Sequence, residues 1–311
     1  MTTIHLPRNH HFNPVFYLSQ WVGDDARVCE MRFVRGKMVH KRKHPQNTGR
    51  LKDLYRTRGV PEVNSQDLEV KFMTPLDTKA AAALWKILEG NTLDLNERVA
   101  WARFLLSLLY RNRECVEFVK RHMATLWQEA TAALEDDWAA QRVPGEHQTL
   151  ADATAARQPG AAERSAANIL ADIIGNSSAL PDIVKMHWGK IDLRNSQIPL
   201  LTSDRPLQFV GLSDPNAYIA LPIGPYDLFV AAFDDRFNRA RVDATELAYR
   251  MNKDVVANGR EFVWGADAEQ VDFVRTWIGA NPDRTILTKQ QQDQGIAAAR
   301  GCAPTVERMD D

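Results

Sequence analysis

The chain has 311 residues, 44% of them hydrophobic and 25% charged, with a net charge of −1. These are the proportions of a folded globular protein, and they exclude collagen-like, coiled-coil and wholly disordered chains. The longest strongly apolar run, Phe104–Tyr110, falls far short of the roughly 20 residues that cross a bilayer. The first residues lack a signal-peptide core, and the three scattered cysteines (Cys29, Cys115, Cys302) form no C-x-x-C pair. Together these features predict a cytoplasmic protein with neither a disulfide framework nor a zinc knuckle.

In chain order, Asn13-Pro14 opens a short amphipathic segment running to Trp21, with proline in the first helical turn, where its missing N–H costs little. Arg27–Val34 alternates as a strand does, and Arg35-Gly36 turns it into Lys37–Lys41, a predicted hairpin. Residues 42–64 read as loop, broken by a short strand at Asp53–Arg56. From about Ser65 to Arg142 the apolar spacing is helical, with three helices, the third running from about Glu114 to Gln141 and ended by Val143-Pro-Gly145. Residues 146–162 are polar and Ala-rich and read as a mobile loop. A helix over about Ala162–Ile174 and a shorter one before Trp188 follow.

Short apolar or alternating segments come next: Lys190–Leu193, Ile198–Thr202, Leu207–Val210, Ala217–Pro222 and Leu228–Phe233. Asp243-Ala-Thr-Glu246 predicts a helix start, Gly259 its end, Glu261–Trp264 a last strand and Ala268–Ile278 a last helix. Residues 289–311 are too poor in apolar side chains to pack, which predicts a disordered tail. The expected fold is α+β: a single domain over residues 1–288, with N- and C-terminal strands in one mixed, largely antiparallel sheet and a helical insertion at about 65–188.

Charge is unevenly placed. Residues 1–60 hold twelve Lys/Arg against four acids, a charge of +8, and the remainder carries −9. Five histidines (His5, His10, His11, His40, His44) share that basic stretch with Phe12, Phe16, Tyr17, Trp21 and Tyr55. Cations attract phosphates and aromatic faces stack bases, so the stretch suits a phosphate-bearing ligand such as nucleic acid; it equally suits a basic face paired with the acidic remainder.

No phosphate-loop, zincin or nucleophile-elbow motif is present, and no motif names a cofactor. His40 and His44 have metal spacing only if helical, and the cations between them oppose a divalent ion. The adjacent His10 and His11 cannot both face one ligand, so one is a candidate acid or base and the other structural. Thr202-Ser-Asp-Arg-Pro206 places Asp204 and Arg205 where an apolar strand ends, either as functional groups or as turn formers. Arg111 and Arg113 end the long apolar helix, where guanidiniums suit the macrodipole or clamp phosphate.

The opening His10-His-Phe-Asn-Pro-Val-Phe-Tyr-Leu18 resembles the start of the bacterial domain-of-unknown-function family 4238. Asp53-Leu-Tyr-Arg56, a central helix with Arg103, Thr202-Ser-Asp-Arg-Pro206, Leu221-Pro-Ile-Gly-Pro225, Asn252 and Phe262-Val-Trp264 are similar to its later elements, in the same order. Arg205 and Gly224 depart from the family pattern of Asn and Ser. The resemblance supplies candidate residues and no reaction. The expectation is a hydrolase acting on a phosphate-bearing substrate such as nucleic acid. His10 or His11 would be acid/base, with Asp204 as its partner, and Asn13, Tyr17, Arg103, Arg111 and Arg205 would be ligand-binding. The competing expectation is a non-catalytic binding or regulatory protein that docks nucleic acid or an acidic partner through the basic N-terminal region.

Overall fold

The opening motif folds as strand β1 (Asn9–His11) and one helical turn, α1 (Val15–Leu18), which continues into a 3-10 turn at Ser19–Trp21. The computed structural model describes residues 6–211, 214, 216–234 and 242–281; the tail expected at 289–311 lies outside them. The basic hairpin forms where its sequence places it. Strands β2 (Val28–Val34) and β3 (Lys37–Lys43) pair antiparallel, with Val34 opposite Lys37. Arg35 (φ 48) and Gly36 (φ 77) both take the left-handed conformation that lets a two-residue turn follow the strand twist. Strand β4 (Arg50–Lys52) folds back on β1, Asn9 opposite Lys52. The strand expected at 53–56 therefore sits three residues earlier. Asp53 itself turns the chain at φ 58, a conformation aspartate tolerates, and ion-pairs with Arg8.

The helical block begins with a π-helical turn, Leu68–Met73, that runs directly into α2 (Thr74–Leu88). Pro75 has no N–H for the carbonyl four residues back, and the widened turn accommodates its ring. Helix α3 (Leu95–Tyr110) starts at a full capping box between Asp94 and Glu97, and α4 (Arg113–Ala133) at Asn112, whose side chain accepts from the Cys115 N–H. The helix expected to reach Gln141 breaks at Leu134 into a short α5 (Glu135–Gln141). The expected loop at 146–162 contains α6 (Leu150–Arg157), capped by Thr149. Alanine is a strong helix former, so an Ala-rich polar stretch needs little more than such a cap to form a short helix. Helices α7 (Ala161–Gly175) and α8 (Leu180–Lys185) close the block.

The C-terminal part supplies β5 (His187–Asp192), β6 (Thr202–Ser203), β7 (Gln208–Phe209), β8 (Tyr218–Pro222) and β9 (Asp227–Ala232). Helix α9 (Ala244–Asn258), capped by Asp243, then strand β10 (Val263–Gly265) and helix α10 (Val271–Trp277) follow. The fold is α+β. Among the described residues its strands form three antiparallel units instead of one mixed sheet: β1-β4, β3-β2-β10-β6 and β5-β9-β8-β7. Pro199 and Pro206 flank β6 and hold it to two residues, where the sequence pattern suggests a longer strand. The sheet β3-β2-β10-β6 does join N- and C-terminal strands, as expected.

The aromatic residues of the opening motif bridge the sheets and the helical block. Phe16 packs on Phe104 at 5.1 Å, Tyr17 on Trp21 at 5.2 Å, and Trp101 contacts both Phe104 (4.9 Å) and Phe229 (5.6 Å). Trp21 is fully buried and donates its indole N–H to the Leu200 carbonyl at 2.8 Å. Trp21→Ala should therefore cost about 3–5 kcal/mol, measured as a loss of urea-unfolding free energy. An unchanged unfolding midpoint would remove the 3-10 turn that follows α1 from the core.

Candidate functional site

Side chains alternate along β1, so His10 and His11 point to opposite faces. The His10 ring is buried and stacked parallel on Tyr55, with ring centres 5.3 Å apart. Its Nδ1 accepts the Tyr55 N–H at 2.8 Å, and its Nε2 faces the Pro7 carbonyl at 3.2 Å. Burial lowers its pKa. A neutral imidazole that accepts at one nitrogen and donates at the other meets every one of these constraints, and both nitrogens are spent on backbone. His11 lies against a buried charge cluster. Burial, assisted by Arg111 and Arg50, pushes its pKa down to about 4, and its Nε2 is buried without a hydrogen-bond partner.

That cluster centres on Arg111, which is 1% exposed. Its guanidinium grips the Asp77 carboxylate with two bonds, at 2.7 and 3.0 Å, and donates to the His11 carbonyl at 2.9 Å. The Arg111 carbonyl in turn accepts the Tyr55 hydroxyl at 2.9 Å. Glu69 stands nearby with its pKa raised to about 7 by burial. The structure thus makes Arg111 a tie between β1, α2 and α3, with its Nη donors committed inside the protein, where the sequence suggests a phosphate clamp.

Asn13 and Tyr17 bind the T-S-D-R-P segment. Asn13 donates to the Ser203 carbonyl at 2.8 Å. The buried Tyr17 hydroxyl donates to the Pro222 carbonyl and meets Thr202 Oγ1, each at 2.8 Å. Burial raises the Tyr17 pKa and keeps the phenol neutral. Asp204 receives the Arg260 N–H on Oδ1 and the Glu261 N–H on Oδ2, both at 2.8 Å. Burial still raises its pKa to about 6. Gly259 permits this approach, since a Cβ there would stand 3.1 Å from Ser203 Cβ and 3.2 Å from the Val256 carbonyl. The opening motif and the T-S-D-R-P turn do meet, but through Asn13 and Tyr17. Neither imidazole exchanges a hydrogen bond with Asp204, whose partners are backbone amides.

Asp204 lines a cleft of about 310 Å³. Phe12 of the opening motif and Phe262 form an aromatic wall, with ring centres 5.7 Å apart. Arg113 and Arg121 come from α4, and Arg205 and Arg260 from the segments around Asp204. Glu114 pairs with Arg205, Glu117 with Arg113 at 2.8 Å, and Glu261 with Arg113 at 3.6 Å. Arg113 is weighed in the sequence as a helix-terminal charge or a phosphate clamp, and Phe262 stands in the family-like Phe262-Val-Trp264; Arg121 and Arg260 carry no local signal of a site. Arg103 lies elsewhere, its Nε donating to the Gly175 carbonyl at 3.1 Å. Among the described residues no group of three or more His, Cys, Asp or Glu is placed to hold a metal.

Several cations of the basic N-terminal stretch are ion-paired, all but Arg56 with acids of that same stretch, so only Glu62 reduces its net surplus. Arg8 pairs with Asp53, Arg32 and Lys43 with Glu30, Arg42 with Asp25, and Arg56 with Glu62.

A family model described as Protein of unknown function (DUF4238) matches residues 9–269. The chain belongs to the DUF4238 family. No curated protein and no solved structure matches it. The DUF4238 span begins in β1 and ends beyond β10, so it takes in every residue that lines the cleft. No helix among the described residues is long and apolar enough to cross a membrane.

The tie made by Arg111 gives a direct test. Asp77→Ala strands a buried guanidinium and should cost about 3–5 kcal/mol in chemical unfolding, whereas the pair Asp77→Leu with Arg111→Met should recover most of that loss. A silent Asp77→Ala would show that the ion pair carries no structural weight.

Proposed function

We propose that this DUF4238 protein is a hydrolase that binds a phosphate-bearing substrate, such as a nucleotide unit of nucleic acid, in the cleft around Asp204. The observation that carries this reading is the convergence of four guanidiniums and two phenyl rings on one cleft, contributed by separate segments of the chain. Guanidiniums match phosphate oxygens, and aromatic faces accept a base. The volume, about 310 Å³, is at the lower end for ligand sites and suits one nucleotide-sized unit.

Asp204 is the group that would move a proton. Its two backbone bonds fix the carboxyl, and a pKa near 6 allows it to donate and accept close to neutrality. In this reading His10 supports Asp204 only through the fold. The competing reading, a docking surface on the basic N-terminal region, keeps most of its charge, since the ion pairs of Arg8, Arg32, Arg42 and Lys43 use acids of that same stretch.

Adenosine monophosphate and a short single-stranded oligonucleotide serve as probes. Protonating Asp204, which faces Arg205 and Glu261, removes a negative charge from the cleft, so affinity for the oligonucleotide, whose phosphodiesters keep their charge, should rise as pH falls through about 6. Log affinity for the oligonucleotide should fall linearly with log salt, by about 0.7 per neutralised phosphate. Arg121→Gln and Arg260→Gln should weaken binding, while Asp204→Asn should keep binding and lower cleavage of the oligonucleotide by about 10²–10⁴-fold. Absence of binding at low salt, or oligonucleotide binding that weakens on acidification, overturns the reading.

A further inference from the structure

A second cavity, of about 790 Å³, shares no residue with the Asp204 cleft. The π-helical turn, α2, α3 and the end of α7 enclose it. Its apolar lining comes from Phe72, Leu76, Val99, Ala100 and Ala171. Phe72 lies against Gly175, where a Cβ would stand 3.4 Å from the ring. A smaller cavity of about 270 Å³ shares Lys71, Phe72 and Ala171 with it, so the two adjoin along the π-helical turn. Widened π turns are frequent at functional sites.

The charges on this groove are not balanced within the protein. Lys71 is paired with Asp67 at 2.7 Å and Glu97 with Lys86 at 2.6 Å. Asp172 accepts the Asn176 side-chain amide at 2.9 Å. Lys79 makes no ion pair among the described residues. Arg103 commits only its Nε, to the Gly175 carbonyl, and the terminal fork of the guanidinium keeps its donors for a ligand. Two cations without an ion pair among the described residues therefore stand over an apolar floor; of the two carboxylates that line it, Glu97 is paired with Lys86 and only Asp172 is left.

We infer that this groove is a binding site for an organic anion with an apolar body, whose carboxylate or phosphate-ester head is held by Arg103 and Lys79. The head meets a planar fork that suits either group, and the body lies along Phe72, Val99 and Ala171. The site is independent of the Asp204 cleft and of what that cleft binds.

Isothermal titration with decanoate, decyl phosphate and uncharged decanol tests this. One equivalent of decanoate or decyl phosphate should bind, and decanol should bind at least tenfold more weakly. A preference between the two anions identifies the head group. Arg103→Gln and the exposed Lys79→Glu should each weaken anion binding about tenfold or more, and Ala171→Trp should abolish it by filling the groove. Asp204→Asn should leave it unchanged. Should Arg103→Gln fail to fold, Lys79→Glu and Ala171→Trp still decide. No binding by wild type, equal binding of decanol, or binding that survives Ala171→Trp but is lost in Asp204→Asn overturns the inference.

Discussion

The segment from Asn13 to Trp21 hangs from the backbone of residues 200–222 by polar atoms inside an apolar core. Asn13 donates to Ser203, Tyr17 to Pro222 and Trp21 to Leu200, and each acceptor is a main-chain carbonyl. Leaving any of these carbonyls buried and unpaired would cost about 1–3 kcal/mol, so the contacts fix register as well as position. The aromatic rings of the same segment then present a surface on which α3 packs through Phe104. The Asp204 cleft exists because this docking brings Phe12 beside Phe262 and sets the α3–α4 junction opposite β6.

Two buried charge arrangements do different work in this frame. Arg111 and Asp77 satisfy one another at close range, and the pair holds three elements together. Asp204 has no such counter-ion buried with it. It is held by amides, and Arg205, the nearest cation, is engaged with Glu114. The first arrangement fixes charge; the second leaves a carboxyl whose pKa burial raises to about 6.

Local rules made much of the fold legible. Arg35-Gly36 announces its turn, Asp243 its helix start and Gly259 its helix end, since each is a matter of backbone conformation or one hydrogen bond. Sheet assembly was less legible. Pro199 and Pro206 limit β6 to Thr202–Ser203, yet Ile198–Thr202 reads as a full strand. The site was half legible. Asp204, Phe12 and Phe262 stand in motifs, whereas Arg121 and Arg260 become candidate site residues only through the meeting of distant segments. His10, Arg111 and Tyr17 invite a chemical reading because they are polar, and sequence carries no record that their polar atoms point at backbone.

The long reach of the N-terminal docking has a consequence for synthesis. The partners of Asn13, Tyr17 and Trp21 lie 190, 205 and 179 residues downstream. At ribosomal rates of about 5–20 residues per second, roughly 10–40 s pass between the emergence of the aromatic segment and that of its acceptors. During that interval Phe12 lacks Phe262 and Trp21 lacks the Leu200 carbonyl, while Phe16 can already meet Phe104 and α2 can pair with α3. The nascent chain therefore carries an adhesive leading end, and its yield in the cell should depend on chaperones that shield that end until residue 222 has been made.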